Sequence, residues 1–283
     1  VEGTIVRRLR EHDIEPAIAL TNLENWGYTP ADFRRLLALA PDGCFAAEVG
    51  GRVVGVLATT TYDGLAFLGA VIVSPELRGK GVGKMLMEAA LDHLRSTGVR
   101  TVRLYAYLHA VRFYEGLGFH GEYEIIRWHG PAAEGRFRGV RPVRTDDLER
   151  VAGMDATYFG ANRRKLLTRL ADEFPTTFLV AERAGRMRGF IVGNASGDTC
   201  EIGPWIAEPE SGTVAQDLYR GLVGAAGAGE VAFSGPSPNE ALLAFVRGVG
   251  YKEVFRSLRM WWGSNEFAGE PAGLWAVGGL EKG

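Results

Sequence analysis

The chain has 283 residues, 46% of them hydrophobic and 23% charged, which is ordinary for a globular protein and long enough for two domains. Its formal net charge of −2 gives no electrostatic footprint for nucleic acid, and no apolar run approaches the ~20 residues of a membrane-spanning helix. The opening stretch VEGTIVRRLREHD has no apolar signal core, and Cys44 and Cys200 make no disulfide framework. Both thiols are therefore expected reduced and buried in strands, in a cytoplasmic protein.

In chain order, a strand near 4–10 leads to a helix starting around Glu11-His12-Asp13. Residues 22–29 read as a loop. Thr29-Pro30 then opens a second helix, with Thr29 as its cap and Pro30 at its first position. A hairpin runs from Phe45–Glu48 to Val53–Thr60 across Gly50-Gly51. The apolar run Leu65 to Val73, bounded by Ser74-Pro75, predicts a buried strand. Val82, Leu86, Ala90 and Leu94 recur at helical spacing and predict a helix over about 80–97. A strand over 101–107, a helix over about 109–117 and a last strand over 119–128 follow.

Between strand and helix stands Arg78-Gly79-Lys80-Gly81-Val82-Gly83-Lys84. The first turn of a helix carries N–H groups without intrahelical partners, and the macrodipole adds positive potential there. Glycines at 79, 81 and 83 leave those donors accessible, and Arg78, Lys80 and Lys84 add cationic charge. Such a cradle suits a pyrophosphate. It is not the common P-loop, because Arg78 and Met85 stand where that motif needs Gly and Ser or Thr. Nor does G-x-G-x-G match the dinucleotide fingerprint.

The chain also repeats itself. Val6-Arg7-Arg8-Leu9-Arg10 returns as Val140-Arg141-Pro142-Val143-Arg144, and Ala47-Glu48 through Gly55 returns as Ala181-Glu182 through Gly189. Both offsets are 134 (140 − 6 and 181 − 47). Leu117-Gly118-Phe119 returns as Val249-Gly250-Tyr251, offset 132 (249 − 117). Two copies of one fold are expected, 1–132 and 133–283, joined in the Gly/Pro/Ala stretch 130–135. The second copy should hold helices near 147–156, 161–172, 212–226 and 239–248. Its strands should lie near 177–183, 187–193, 199–206 and 251–262, with a short strand at 274–277.

The segment R-G-x-G-x-G after a strand ending V-x-V-x-P resembles motif A of the GCN5-related N-acetyltransferase (GNAT) superfamily, whose loop holds the pyrophosphate of acetyl-CoA. The order β-α-α-β-β-β-α-β-α-β is that superfamily's order. The resemblance implies an α/β fold with a mixed sheet, present in tandem. It places the donor, acetyl-CoA, against Val71, Ile72 and Val73 and the loop residues Arg78, Gly79, Lys80, Gly81, Val82, Gly83 and Lys84, with no metal. Ala110 to Phe119 resembles the family's A-x-x-x-Y-x-x-x-G-F segment, which implies that Tyr114 protonates the departing thiolate. The competing reading of Tyr114 is a half-buried packing residue. The family's Asn seven residues before this Tyr-Glu pair is replaced by Tyr107.

The second copy departs further. Its counterpart of the loop reads IGPWIAEPESG, with Glu208 and Glu210 expected to repel a phosphate. Asn239 stands at the Asn position, but Val246 replaces the tyrosine. The second copy is therefore expected to be degenerate. The general base stays open among Glu24, Asp63, His109, Glu124 and a water relay. Glu24, Trp26 and Tyr28, in the loop between the first two helices, are candidates for holding a cationic amine, or for packing under the loop. The other histidines show no metal-ligand spacing.

The activity this implies is transfer of an acetyl group from acetyl-CoA to a primary amine of a small molecule or peptide, by direct attack in a ternary complex. The alternative is a non-catalytic acyl-CoA sensor, which needs the loop but not Tyr114. Expected partners are a small-molecule amine and neither nucleic acid nor membrane. A homodimer stays open, with the degenerate copy as a candidate internal partner.

Overall fold

The computed structural model describes residues 3–283 and divides into two compact units. The first runs to Leu104 and includes Lys282; the second covers the rest.

In the first unit, β1 (Thr4–Arg8) leads through a 3-10 turn into α1 (Ile14–Asn22), followed by α2 (Pro30–Leu39). Thr29 and Asp32 close a reciprocal capping box on α2: Asp32 N–H donates to the Thr29 hydroxyl and Thr29 N–H to the Asp32 carboxylate. Next come β2 (Phe45–Val49), β3 (Arg52–Tyr62), β4 (Leu65–Val73), α3 (Val82–Ser96) and the start of β5 (Thr101–Tyr107). β1, β2, β3 and β4 pair antiparallel in that order, and β4 pairs parallel with β5. Ile14, Ala17 and Leu20 of α1 and Phe33 and Leu36 of α2 pack with Val56 and Ile72. Burying each large side chain contributes about 1.5–3 kcal/mol.

The second unit contains α4 (Val111–Glu115), β6 (His120–Pro131), β7 (Val140–Pro142), α5 (Leu148–Phe159) and α6 (Arg164–Glu173). β8 (Phe178–Arg183), β9 (Arg186–Ser196), β10 (Thr199–Ala207) and α7 (Val214–Ala226) follow. It ends with β11 (Glu230–Pro236), α8 (Glu240–Val249), β12 (Lys252–Gly263) and β13 (Leu274–Ala276). Its strands run β12-β6-β11-β10-β9-β8-β7, with β13 on β10. The core is aromatic: fully buried Trp205 meets Tyr219, Phe233, Phe245 and Trp275 at centroid distances of 5.0–6.0 Å.

The strand β6 belongs by sequence to the first copy. It lies between two strands of the second, pairing Trp128 with Phe233 of β11 and Ile125 with Ser257 of β12. The repeat in sequence and the division in space are thus different partitions of the chain.

The repeat itself extends to backbone irregularities. β4 carries one extra residue against β3 between Gly69 and Ile72, and β10 carries one against β9 between Ile202 and Trp205. The offset is 133 (202 − 69 and 205 − 72), one residue from that of the sequence repeat. Within the bulge of β4, Ala70 adopts φ 51°.

Elements with an expected range have the expected type and differ at their ends, while the strands β7 and β11 lie outside the expected ranges. The helix expected over 80–97 starts at Val82, because Gly81 sits at its cap with φ 88°. The helix expected over 109–117 is a 3-10 turn plus the short α4, cut off before Gly118 at φ 86°. Cys200 is buried in β10 as expected, whereas Cys44 is buried one residue ahead of β2 rather than within a strand. No described helix is long and apolar enough to cross a membrane.

Candidate active site

β4 delivers the chain to the glycine loop. Ile72 points into the core and pairs with Val56, while Val71 and Val73 are half-buried. A 3-10 turn at Pro75–Leu77 then reverses the direction. Gly79 (φ 72°) and Gly81 (φ 88°) are both left-handed, a conformation L side chains rarely adopt. A Cβ built on either would meet no protein atom within 4 Å. The loop therefore keeps open space over both positions, and internal packing does not account for these glycines.

The amides of Gly81, Val82, Gly83 and Lys84 precede the first intrahelical bond, from Met85 N–H to Gly81 O. The first turn of α3 has no acidic residue. Lys80 is exposed, and Lys84 lies 3.7 Å from Glu88 on the helix flank. Donors, dipole and lysine charges all favour an anion at this end of α3. The residues fit a pyrophosphate.

Arg78 and Glu24, assigned in the sequence to donor and acceptor respectively, are bound to each other. The Arg78 guanidinium donates to Glu24 Oε1 at 2.7 Å and to the carbonyl of Val73 at 2.9 Å. This pair ties the end of α1 to the end of β4. Trp26 and Tyr28 meet edge-on at 6.3 Å, and Tyr28 packs on Phe33 at 5.4 Å. Both rings therefore pack against the core of the first unit.

In the second unit, Tyr114 lies on α4 between Phe113 and Phe119, at 5.1 and 5.9 Å. It is 9% exposed, and burial pushes its phenol above the ordinary tyrosine range. A phenol so placed keeps its proton throughout the neutral range and can act as a donor. Tyr107, at the position of the family's Asn, stacks on His109 at 5.8 Å and meets Phe255 at 5.1 Å. Of the candidate bases, Glu124 accepts from Arg256 at 2.6 Å, and Asp63 sits in the β3–β4 turn at φ 44°.

The second copy's counterpart of the loop is corrected in one respect. Glu208 does not present bare charge: it is ion-paired with Arg188, and Arg186 lies 3.8 Å away. The acid that stands in the first turn of this helix is Asp217, 4% exposed. It accepts from Thr213 at 2.7 Å and Arg183 at 2.6 Å. Asn239 is engaged as well. Its Oδ1 caps α8 through Leu242 N–H at 2.9 Å, and its Nδ2 donates to the Leu274 carbonyl at 2.8 Å. Neither Asp217 nor the tail contact of Asn239 is apparent from motif matching; the i,i+4 spacing Thr213/Asp217 is the only local signal. Burial pushes the thiols of Cys44 and Cys200 up to about 11 and about 12, which leaves neither a nucleophile.

Two family models match the chain: the acetyltransferase (GNAT) family over residues 8–119, and an acetyltransferase (GNAT) domain over 151–276. The chain belongs to the GNAT acetyltransferase family. It carries the GNAT fold twice, and its class is acyl transfer. Among relatives, the holothin acyltransferase of Pseudoalteromonas sp. (strain SANK 73390) is 25% identical over 92% of this chain and 88% of its own length. A mycothiol acetyltransferase of Thermobispora bispora is 44% identical over 28% of this chain and 30% of its own. Among solved structures, a putative acetyltransferase from Pyrococcus horikoshii superposes with a TM-score of 0.84 at 24% identity, over 100% of this chain and 97% of that one. A tandem GNAT protein from the clavulanic acid biosynthesis pathway gives 0.63 at 16% identity, over 92% and 98%. At these identities the two structures support the fold alone.

Proposed function

We propose that the chain is an N-acetyltransferase that moves an acetyl group from acetyl-CoA to a primary amine of a small molecule. The observation that carries this reading is the junction of β4 and α3. There, two left-handed glycines with empty space above them stand at the start of a helix whose first amides precede its first internal bond. That arrangement supports a diphosphate-bearing donor, and the family supplies acyl transfer as its chemistry. An acyl thioester contributes the activated carbonyl. This chain contributes the amides of 81–84 and the lysines to bind, and the Tyr114 phenol as the proton donor to the leaving thiolate. Direct attack of the neutral amine, without a covalent enzyme intermediate, agrees with the buried, high-pKa state of both cysteines.

The name of a relative that matches along most of this chain, a holothin acyltransferase, supports a small-molecule acceptor over a protein. A small acceptor, no nucleic acid and no membrane remain part of this proposal. The test is thiol release from acetyl-CoA against a panel of small primary amines. Release that depends on one amine subclass is expected. Saturable donor binding with no release across the whole panel would sink acyl transfer and leave a donor-sensing protein.

A further inference from the structure

The second copy contains a fork between two strands that its own chain fills. β4 pairs with β5 from Leu65↔Thr101 to Phe67↔Arg103 and continues to Val73. β10 pairs with β11 from Thr199↔Glu230 to Ile202↔Phe233, and both strands continue beyond that pairing. In the second copy the fork is occupied. β13 pairs antiparallel with β10, Ala276 opposite Trp205 and Leu274 opposite Ile206. On its other side Val277 N–H donates to Ser234 O of β11 at 2.9 Å. Leu274–Val277 is thus bonded to both arms of the fork.

We propose that the second copy is a strand-accepting crevice, a binding site for an extended peptide backbone, and that residues 271–277 of the same chain are its ligand. This is a function separate from the acyl-donor loop and does not rest on it. Three features show a built site. A Cβ on Gly203 would stand 2.0 Å from Val277 O, and one on Gly235 2.5 Å from Trp275 O, so both walls lack side chains where the inserted carbonyls approach. The fully buried Asn239 reads the main chain through its bond to Leu274 O, 2.8 Å. Trp275 is the anchor, its ring 5.0 Å from Trp205 and 6.0 Å from Phe245. Main-chain bonds on both sides with one aromatic anchor is the chemistry of strand addition. The segment reaches the crevice through residues 264–270, which form no regular structure. A cavity of about 260 Å³ remains at the mouth, between Pro209, Glu240, Ala272 and Trp275. The crevice therefore accepts amide backbone with apolar and aromatic side chains.

The test uses the full chain with a protease site inserted between the exposed Asn265 and Glu266, cut after folding. A fluorescent peptide of residues 266–283 is then added in excess and followed by anisotropy. The expected result is saturable capture at one peptide per chain. The same peptide N-methylated at Val277, which removes the donor to Ser234, should bind at least tenfold more weakly. Gly203→Val in the cut protein should abolish capture while far-UV circular dichroism stays native. Equal binding of the methylated peptide would overturn the proposal. So would failure of the labelled peptide to enter, whether the cut segment stays locked in or the crevice collapses, because the segment would then be ordinary core.

Discussion

Arg141 grips Asp147 with both terminal guanidinium nitrogens, at 2.6 and 3.0 Å, and Arg7 grips Asp13 in the same way at 2.7 and 2.9 Å. Each arginine also reaches a glutamate near the end of the next strand in sequence, Glu182 of β8 at 3.0 Å and Glu48 of β2 at 2.8 Å. All three positions repeat at offset 134 (141 − 7, 147 − 13, 182 − 48). Each aspartate is buried, and it also accepts the backbone N–H three residues earlier, at Arg144 or Arg10. The triad pins the end of the first strand to the start of the first helix in both copies. A copy that has lost the glycine loop has kept this clamp, so the clamp serves folding and not donor binding.

Asp147 gives the first prediction. Hydrogen bonds from Arg141, opposed by burial and joined by Arg144 N–H, hold its carboxyl at about 2 against the ordinary 3.8. A depressed folded value means the stabilisation is present above the unfolded value and lost as pH falls through the folded one. The window is therefore about pH 4 down to pH 2, and the shift corresponds to about 2 kcal/mol. Asp147→Asn should lose about that much at pH 7, and its stability should depend less on pH across the window. Urea unfolding at pH 7, 4 and 3 measures it. A variant whose loss is the same at every pH would show that the ionised carboxylate is not the stabilising form.

Gly81 separates folding from binding. It is left-handed, so Gly81→Ala costs about 1–2 kcal/mol of backbone strain. The new Cβ nevertheless meets no protein atom, so the chain should still fold. Gly81→Val should abolish acetyl-CoA binding by calorimetry while retaining a cooperative thermal transition. Wild type should bind one donor per chain, because the second copy has an acid, Asp217, in the corresponding helix turn and a strand in its fork. Two equivalent sites would contradict this.

Tyr114→Phe should leave the donor dissociation constant within about twofold and lower kcat by about 10²–10⁴. The ring keeps its contacts with Phe113 and Phe119, so stability should move by less than about 1 kcal/mol. Stopped-flow thiol release and calorimetry on the same sample check both arms. Unchanged turnover would reduce Tyr114 to a packing residue.

Much of the fold was legible because its signals are local. Ser74-Pro75 and Gly64 bound β4, and Thr29-Pro30 with Asp32 writes its own cap. The glycine loop was legible because left-handed turns at a helix start demand glycine. What stayed hidden depends on contacts remote in sequence. Nothing in residues 120–131 says that β6 will lie between β11 and β12, since an alternating strand pairs with any edge of matching polarity. The tail segment 274–277 reads as a short strand, but its place in the fork depends on Gly203 and Gly235. Motif, loop position and charge point Arg78, Glu24 and Glu208 toward ligands, and none of these reveals which opposite charge a side chain will meet.

The Arg78–Glu24 pair yields the last prediction, because a phosphate that uses Arg78 must compete with a carboxylate already 2.7 Å away. Both side chains are more than a third exposed, so the pair is worth at most about 1 kcal/mol. Glu24→Gln removes the competitor without shortening the side chain. It should tighten acetyl-CoA binding by up to about fivefold at low salt. The gain should shrink in 0.5 M salt, where exposed charges are screened. Arg78→Lys cannot reproduce a guanidinium bridging the Val73 carbonyl and a second acceptor, and should weaken binding. If Glu24→Gln instead weakens the donor, the carboxylate's role is to position Arg78 rather than to occupy it. Calorimetric titrations of both variants at two salt concentrations separate these cases, since a positioning role predicts parallel losses in the two and competition predicts opposite signs.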